Sequence, residues 1–303
     1  MKIGLKSLMI SFLCGVICSP QAYSEAQTDL LNKHALTTIS RLLKRPELIS
    51  TQRREIVLAR HQHTNQQFDS EFSENFYFLV QGGLHGNEKL SSTFVLWLAQ
   101  RFQRGLSALN RLPFRRITLD FLPTTNPDGA RIGNRYNARG VNLNRNFDVL
   151  WGLSRENPGE KAFSEKETKS IEAMMTTFKY DAAVDIHGYI HWLVAPSSPL
   201  ALPQPTDPGA ERRWQTWLAI ISKQLKNLPG YKLKTAAQLG DGGAFEDWAF
   251  WRHHVPAFCL EMSHRTRKTV LDGKSQDWFL LYERIIAQIF LDSVKQKAAL
   301  GKS

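Results

Sequence analysis

Three short apolar runs, each closed by a residue that can bind a metal or move a proton, constrain this chain more than any other feature of its sequence. The runs cover residues 76–81, 180–186 and 257–261. The first leads into a glycine-rich turn with His85, the second ends beside His187, and the third ends in Glu261. Runs of this length and composition predict buried strands. Because the carboxyl ends of parallel strands meet at one edge of a sheet, we expect the three segments to converge.

Helical patterns alternate with these strands and set the expected fold class. Apolar residues recur at helical spacing over 88–102, 211–226 and 278–295, residues 164–167 form a capping-box pattern before another helix, and further strands are predicted over 54–62 and 117–122. The stretches 62–75 and 123–140 predict loops. This alternation is typical of an α/β protein with a mixed, mostly parallel twisted sheet and helices on both faces. No linker or repeat divides the chain, so we expect one domain.

The N-terminal residues have the three parts of a secretory signal peptide. Lys2 and Lys6 precede an apolar run over residues 8–18, a Ser-Pro pair breaks the run, and small residues follow at 22 and 24. About eleven apolar residues are too few for a membrane core, which needs roughly 20. We therefore expect residues 1–24 to be removed. Residues 25–303, with a helical lead over 25–50, would then form an exported domain, periplasmic or secreted, without a membrane span.

Cysteine usage and charge bear on stability and on partners. Removal of residues 1–24 leaves Cys259 as the single thiol, in an apolar run typical of a buried structural cysteine, so no internal disulfide is expected. The chain has 39 Lys and Arg against 28 Asp and Glu, and its formal charge of +11 favours anionic partners. The basic residues are dispersed and match no nucleic-acid-binding module, so we expect no nucleic-acid partner. The oligomeric state stays open.

Two of the strand ends carry candidate metal ligands. The first turn reads Gln-Gly-Gly-Leu-His-Gly-Asn-Glu, with His85 three residues before Glu88 at the start of a helix. Alone, this spacing also fits a surface histidine beside a helix-starting glutamate, and His187 alone fits a buried core histidine. Together the three residues match the His₂Glu donor set of a catalytic zinc site with one open position. Asp185 could orient a neighbouring group, although strand alternation could also point it away.

Glu261 and a loop of arginines and asparagines are the remaining candidates. A carboxylate that ends an apolar strand is costly to bury, so Glu261 is either a general base beside the metal or a surface residue at the strand end. Residues 135–147 read Arg-Tyr-Asn-Ala-Arg-Gly-Val-Asn-Leu-Asn-Arg-Asn-Phe. Arginine forks suit a carboxylate or a developing oxyanion. Asx turns with solvated arginines would explain any one of these residues alone.

These motifs, in this order, resemble the zinc carboxypeptidase family typified by carboxypeptidase A. They are His-x-x-Glu at 85–88, Asn-Pro-Asp-Gly at 126–129, Gly-Val-Asn-Leu-Asn-Arg-Asn-Phe at 140–147, Asp-Ile-His at 185–187 and Leu-Glu at 260–261. The resemblance covers about residues 37 to 297 and implies the family's fold and a bound zinc ion. The roles that it implies are zinc binding by His85, Glu88 and His187, proton transfer by Glu261, oxyanion stabilisation by Arg135 or its rival Arg139, and substrate-carboxylate binding by Asn144 and Arg145.

One departure from the family pattern bears on the substrate. The pancreatic members place a mobile tyrosine well before the base, but residues 237–243 contain none and Tyr231 lies too early. The short span between Asn-Pro-Asp-Gly and Asn-Arg-Asn-Phe instead resembles compact bacterial murein peptide amidases, which cleave the γ-D-glutamyl–diaminopimelate bond. If Asp247-Trp248 matches the family's Asp-Trp pair, Glu246 lies at the position that selects the released residue.

Several functions therefore stay open. Glu246 would favour an ammonium or guanidinium group, which fits diaminopimelate in a peptidoglycan fragment and equally a C-terminal lysine or arginine; alternatively, Glu246 caps a turn and faces solvent. A murein peptide amidase is the first hypothesis and a carboxypeptidase for basic residues the second. The Gly-x-His-Gly-Asn-Glu wording also resembles amino-acid deacylases of the aspartoacylase and desuccinylase type. A binding protein on an inactive fold would lack a ligand or the base, and this chain lacks neither.

Overall fold

The computed structural model describes residues 49–65, 75–203, 208–264 and 276–300. The predicted signal peptide, and the predicted helical lead up to residue 48, lie outside the described residues. Ile49 pairs with Glu55 in an isolated antiparallel bridge, so the described end of the lead is not helical. Among the helices of the described ranges, none is both long and apolar enough to span a membrane.

A seven-stranded sheet organises the described part of the chain. Its strands are β1 (Ala59–Thr64), β2 (Asn75–Gly82), β3 (Arg116–Leu122), β4 (Ala182–Gly188), β5 (Trp192–Ala195), β6 (Lys232–Thr235) and β7 (Ala257–Met262). Their order across the sheet is β1-β3-β2-β4-β7-β5-β6. The central strands β3, β2, β4 and β7 run parallel, β1 and β5 run antiparallel to β3 and β7, and β6 pairs parallel with β5. The prediction of a mixed, mostly parallel sheet is confirmed.

Helices connect the strands and cover them. They are α1 (Lys89–Gln103), α2 (Pro127–Ile132), α3 (Lys166–Thr177), α4 (Ala210–Lys223), α5 (Ala236–Leu239), α6 (Phe245–His253) and α7 (Gln276–Leu300). Shorter 3₁₀ turns lie at Ala108–Arg111, Leu143–Arg145, Pro199–Ala201 and Leu225–Asn227. The helices predicted over 88–102, 211–226 and 278–295 correspond to α1, α4 and α7.

The structure differs from the sequence predictions at three further local points. The stretch 123–140 contains α2, because Pro127 fits a first helical position and Asn126 caps the helix by accepting from the Gly129 amide at 2.9 Å. The first strand begins only at Ala59. The capping box at 164–167 is absent, since Glu165 is the N-cap residue of α3 and makes no side-chain cap hydrogen bond.

Alternation along the central strands divides the core into two layers. One layer packs strand residues against α1, α4 and α7 and includes Phe78, Val80, Phe94, Trp217 and Ile286. The other packs against α3 and α6 and includes Leu79, Ala183, Met174 and Trp248. The sheet is therefore covered on both faces, as predicted. Cross-strand register places Ala183, Asp185 and His187 on the second face, so the polar ends of the strands continue one side of the core.

A buried ion pair fastens the edge strand β1 to the sheet. Arg60 donates to both carboxylate oxygens of Asp120 at 2.7 and 2.6 Å, and the Tyr180 hydroxyl donates to the same carboxylate at 2.5 Å. Arg60 and Asp120 are also register partners on β1 and β3. A bidentate pair of this kind adds geometric specificity, so it fixes the register of the edge strand.

We expect Asp120→Asn to lower the free energy of unfolding by about 3 kcal/mol, because it removes the charged acceptor of a largely buried arginine. Urea denaturation followed by circular dichroism measures the change. Asp292→Asn is the matched control, since it breaks the exposed pair between Asp292 and Lys223 at 3.4 Å. That change should cost less than about 1 kcal/mol. Equal losses in the two variants would contradict a structural role for the buried pair.

Candidate metal centre

The three predicted ligands meet at the carboxyl edge of the sheet. His85 and Glu88 lie in the turn between β2 and α1, and His187 lies near the end of β4. Their ligand atoms lie within 4.8 Å of one another, and all three residues are buried. The Glu88 carboxylate reaches both rings, with Oε1 2.8 Å from Nδ1 of His85 and Oε2 3.0 Å from Nδ1 of His187. The structure thus brings together the residues that the sequence singled out.

Close backbone packing holds the first ligand turn in place. A Cβ atom on Gly86 would lie 2.2 Å from the carbonyl carbon of Gly129 and 2.3 Å from the amide nitrogen of Ala130, so only glycine fits. The Asn126 side chain donates to the Leu84 carbonyl at 3.3 Å, and the Asn126 amide donates to the Gly83 carbonyl at 3.0 Å. The Asn-Pro-Asp-Gly segment therefore packs against the turn that carries His85 and Glu88 and holds it in place.

The orientation of the two imidazole rings fits a zinc ion. Nε2 of His187 lies 2.8 Å from Oδ2 of Asp185, and Nε2 of His85 lies 3.1 Å from Oδ1 of Asn142. Because these oxygens accept hydrogen bonds, a neutral ring keeps its proton on Nε2 and directs the Nδ1 lone pair at the other ring, 3.0 Å away. The lone pairs of the two rings and the carboxylate of Glu88 repel one another, and a cation between them would relieve this repulsion. Nitrogen ligands of one tetrahedral zinc lie about 3.3 Å apart.

Burial and neighbouring charge set the protonation of these ligands. Burial lowers the pKa of His85, which favours the neutral ring that a metal requires. Burial alone would raise the pKa of Glu88, but the two imidazoles outweigh it and lower that pKa. At His187, burial is outweighed by Asp185 and Glu88, which raise the pKa of the ring. Metal binding at His187 therefore displaces a proton.

Arg135 and Arg139, the two candidates for the oxyanion role, lie in different environments. Nη1 of Arg135 lies 3.0 Å from Nδ1 of His85 and 3.3 Å from Oε1 of Glu88. Arg139 instead pairs with Glu160 at 2.7 Å, and these two side chains are 44% and 79% exposed. The structure brings Arg135 to the ligand cluster and leaves Arg139 outside it.

Asn144 and Arg145 lie in the buried 3₁₀ turn, and Asn142 joins that turn to His85. The Asn144 amide donates to the same Oδ1 of Asn142 that contacts His85, at 2.9 Å. Asn144 Oδ1 in turn accepts from the Phe245 amide at the start of α6, at 2.9 Å. The Arg145 guanidinium donates to Ser154 Oγ, the Asn144 carbonyl and Asp241, and it forms an ion pair with Glu156 at 3.3 Å. Arg145 is therefore held rigidly and already has carboxylate partners.

Glu261 lies on β7 as the register partner of His187, so the two side chains share one face of the sheet. Burial raises the pKa of Glu261 to about 7. Its Oε2 atom is buried and has no hydrogen-bond partner within the described ranges. Tyr231 donates to the backbone carbonyl of Glu261 at 2.9 Å and contacts the Tyr282 hydroxyl at 2.8 Å. Tyr231 thus holds the strand that carries Glu261 and is itself buried.

Glu246 lies in the first turn of α6 and is 2% exposed, so the alternative in which it faces solvent is wrong. Its Oε2 atom has no hydrogen-bond partner among the residues that the structure describes. Burial, together with the neighbouring Asp247, raises the pKa of Glu246 well above its usual value. A buried carboxyl oxygen without a hydrogen bond is costly, and such an atom calls for an explanation.

The sequence interpretation missed some groups at the site and misjudged another. Asp185 contacts His187 because residues two apart on a strand point to the same face. Strand alternation therefore places Asp185 at the site and does not direct it elsewhere. Asn142 belongs to the recognised Asn-rich motif but carried no assigned role. Glu156 and Asp241 lie in loops without a repeating pattern, and nothing in the local sequence indicates that they reach Arg145.

The fold and the buried His₂Glu cluster define a zinc hydrolase site at the carboxyl edge of an α/β sheet. A sequence model described as zinc carboxypeptidase matches residues 47–294. The chain belongs to the zinc carboxypeptidase family, whose members are zinc-dependent hydrolases. The predictions of family, fold, metal and hydrolase class are confirmed at this level.

Individual relatives are distant. Over 116 residues the chain is 27% identical to Carboxypeptidase SOL1 of Arabidopsis thaliana, and this match covers 37% of the chain but only 22% of that relative's length. Carboxypeptidase A from Helicoverpa armigera superimposes with a TM-score of 0.62 at 18% identity, over 91% of this chain and 73% of that one. A metallo-carboxypeptidase from Burkholderia cenocepacia gives 0.58 at 16% identity, over 90% and 69%. These two structures show a shared fold.

We expect elemental analysis to find about one zinc ion per chain, and His187→Ala to lose it, because three protein ligands complete a catalytic zinc site. Asp185→Asn keeps the ligands and should weaken zinc affinity by about 10–100-fold, since it removes the negative charge of the acceptor that orients His187. His63→Ala on β1 is the matched control and should keep its zinc. Full zinc occupancy in His187→Ala would refute the ligand set.

Proposed function

We propose that the chain is an exported zinc peptidase that hydrolyses a peptide amide bond next to a free carboxylate. The proposal rests on the convergence at one buried edge of a His₂Glu cluster, the guanidinium of Arg135 and the carboxylate of Glu261, whose Oε2 atom has no hydrogen-bond partner among the described residues. Metal-assisted amide hydrolysis needs these three kinds of group, which are a metal site, a base and a cation for the developing oxyanion. The signal-peptide pattern of residues 1–24 supports export.

The metal ligands, Glu261 and Arg135 have different roles in this mechanism. His85, Glu88 and His187 would hold the zinc ion, and the bound ion would supply a Lewis acid for the scissile carbonyl and for water. Glu261 accepts the proton of the attacking water at Oε2 and delivers it to the leaving amine. Arg135 directs Nη1–H at the carbonyl oxygen as its negative charge develops.

Asn144 and Arg145 are proposed to bind the free carboxylate of the substrate. Arg145 is 5% exposed and is fixed by contacts at its Nε and both Nη atoms, so its fork is pre-organised for a planar anion. Asn144 ties this turn to the Phe245 amide, the residue before Glu246. The proposed carboxylate site and the proposed selectivity residue therefore belong to one rigid unit.

Glu246 is proposed to select the residue that is released. An ammonium or guanidinium group from the substrate would supply the partner that its buried Oε2 atom lacks. Diaminopimelate offers an ammonium group to Glu246 and a carboxylate to Arg145, so we propose the γ-D-glutamyl–diaminopimelate bond of peptidoglycan fragments as the substrate.

A carboxypeptidase for C-terminal lysine or arginine is the second candidate. Asp247 and Asp241 are acids whose charge acts on Glu246, and this negative environment favours a cation without a further carboxylate. The family match to zinc carboxypeptidases over residues 47–294 disfavours the third candidate, an amino-acid deacylase.

We expect Glu261→Gln to keep its zinc and its fold while hydrolysis slows by about 10²–10⁴, the usual loss when a general base is removed. Single-turnover rates together with zinc content and circular dichroism measure the three properties. Glu211→Gln, which changes an exposed glutamate on α4, is the control and should behave as wild type. Activity near that of wild type in Glu261→Gln would remove Glu261 from the mechanism.

The substrate proposal predicts faster hydrolysis of a γ-D-glutamyl–diaminopimelate peptide than of an α-linked peptide that ends in lysine. Product masses from parallel digests with the zinc-loaded protein give kcat/KM for both. Glu246→Gln should reduce kcat/KM by about 10-fold or more on the preferred peptide, because it removes one charge-assisted hydrogen bond. Preference for the lysine peptide would replace the first candidate with the second. Indifference to Glu246→Gln on both peptides would refute the assignment of Glu246.

A further inference from the structure

Glu156 lies between the two arginines that the proposed mechanism uses. Its Oε1 atom accepts from Nε of Arg135 at 3.0 Å, and its Oε2 atom accepts from Nη2 of Arg135 at 3.2 Å. The same Oε2 atom lies 2.6 Å from Nδ2 of Asn142 and 3.3 Å from Nη2 of Arg145. One carboxylate of the chain therefore bridges the guanidinium beside the metal cluster and the guanidinium proposed to bind the substrate carboxylate.

Glu156 is charged in this position and is partly exposed to solvent. Partial burial would raise the pKa of Glu156, but its bonds to Arg135 outweigh burial and hold the pKa below the usual value. The side chain is 30% exposed, and residue 156 lies between the 3₁₀ turn Leu143–Arg145 and α3, outside any helix or strand. A rotation of this side chain toward solvent needs no change in the strands or helices that hold the metal ligands.

The two acids beside Arg145 leave no free position for a substrate carboxylate. Nη2 of Arg145 already contacts Asp241 as well as Glu156, and Asp241 contacts only one of the two arginines. Like charges close together repel strongly in a partly buried site. A substrate carboxylate at Arg145 would be the third on one guanidinium, so one of the two internal acids must move away.

We propose that Glu156 occupies the substrate-carboxylate site of the free enzyme, and that the substrate must displace it. This inference rests on the proposed function, because it takes Arg145 as the group that binds the substrate carboxylate. Glu156 makes the kind of contacts that a substrate carboxylate would make, which are two hydrogen bonds to Arg135 and an ion pair with Arg145. It is therefore an internal competitor that weakens substrate binding and keeps the two arginines aligned when no substrate is present.

Binding measurements without turnover test this competition. The zinc-loaded Glu261→Gln protein is titrated by calorimetry with the γ-D-glutamyl–diaminopimelate peptide and with the lysine-ending peptide, each as the free acid and as the amide of the carboxylate beside the scissile bond. Adding Glu156→Gln keeps the size of the side chain but removes its charge. For the peptide that binds, the Kd of the free acid should fall roughly fivefold, which corresponds to the upper range of energies for a partly exposed ion pair. The Kd of the amide of that peptide should stay the same.

A matched control comes from the same loop. Glu160 pairs with Arg139 at 2.7 Å in an exposed position, so Glu160→Gln removes an acid–arginine pair that touches neither Arg135 nor Arg145. It should leave the Kd of every peptide unchanged. Glu156→Ala is the second variant, since it removes the carboxylate altogether and should tighten the acid form as Glu156→Gln does.

Unchanged or weaker binding of the acid form in both Glu156 variants would overturn the proposal and make Glu156 a support for the arginines. Tighter binding of acid and amide alike would also overturn it, because competition at a carboxylate site acts on the acid alone. Failure of the proposed function has a separate signature, which is a protein with wild-type Glu261 that binds the acid peptides but hydrolyses neither of them.

Discussion

Two imidazole lone pairs and a carboxylate that face one buried point form the constraint on which the rest of this structure depends. The Nδ1 atoms of His85 and His187 lie 3.0 Å apart because Asn142 and Asp185 hold the opposite ring nitrogens. The lone pairs and the carboxylate repel one another when no cation lies between them. The surrounding chain therefore has to hold these side chains in place. The parallel pairing of β2 with β4 in the centre of the sheet supplies part of that support, and the close packing of Gly86 against α2 supplies the rest.

Buried acids accumulate around this point, and the molecule offsets their charge with a metal site and a few arginines. Burial raises the pKa of both Glu246 and Glu261, and each keeps one oxygen without a hydrogen-bond partner among the described residues. Groups of this kind lower stability, and the two hydrophobic layers on either side of the sheet compensate for them. Both groups lie near the metal ligands. Destabilising acids with a perturbed pKa that cluster in one place are the pattern expected of a catalytic site.

The sequence predicts the site residues that lie on or next to strands, but it does not predict which loop side chains reach the site. His187 and Glu261 end apolar strands, so parallel pairing alone brings them together, and His85 with Glu88 follows the strand beside them. Arg135 and Arg139 are four residues apart in one loop, and only the packing of that loop on α2 decides which of them reaches His85. Glu156 could not be found from the sequence, because its contacts depend on how the chain returns over the site after the 3₁₀ turn.

The charges at the end of the released side chain separate the two candidate substrates. A lysine places one ammonium group near Glu246, and this group meets an acid whose charge was suppressed by burial and by Asp247. Diaminopimelate adds a carboxylate next to that ammonium, in a region where Asp241 and Asp247 are also acidic. This second carboxylate needs a cation of its own, because Arg145 is already proposed to bind the carboxylate beside the scissile bond, which both substrates carry. Selection between the two substrates therefore depends less on Glu246, which suits both, than on whether the acidic surroundings of Glu246 accept the second carboxylate.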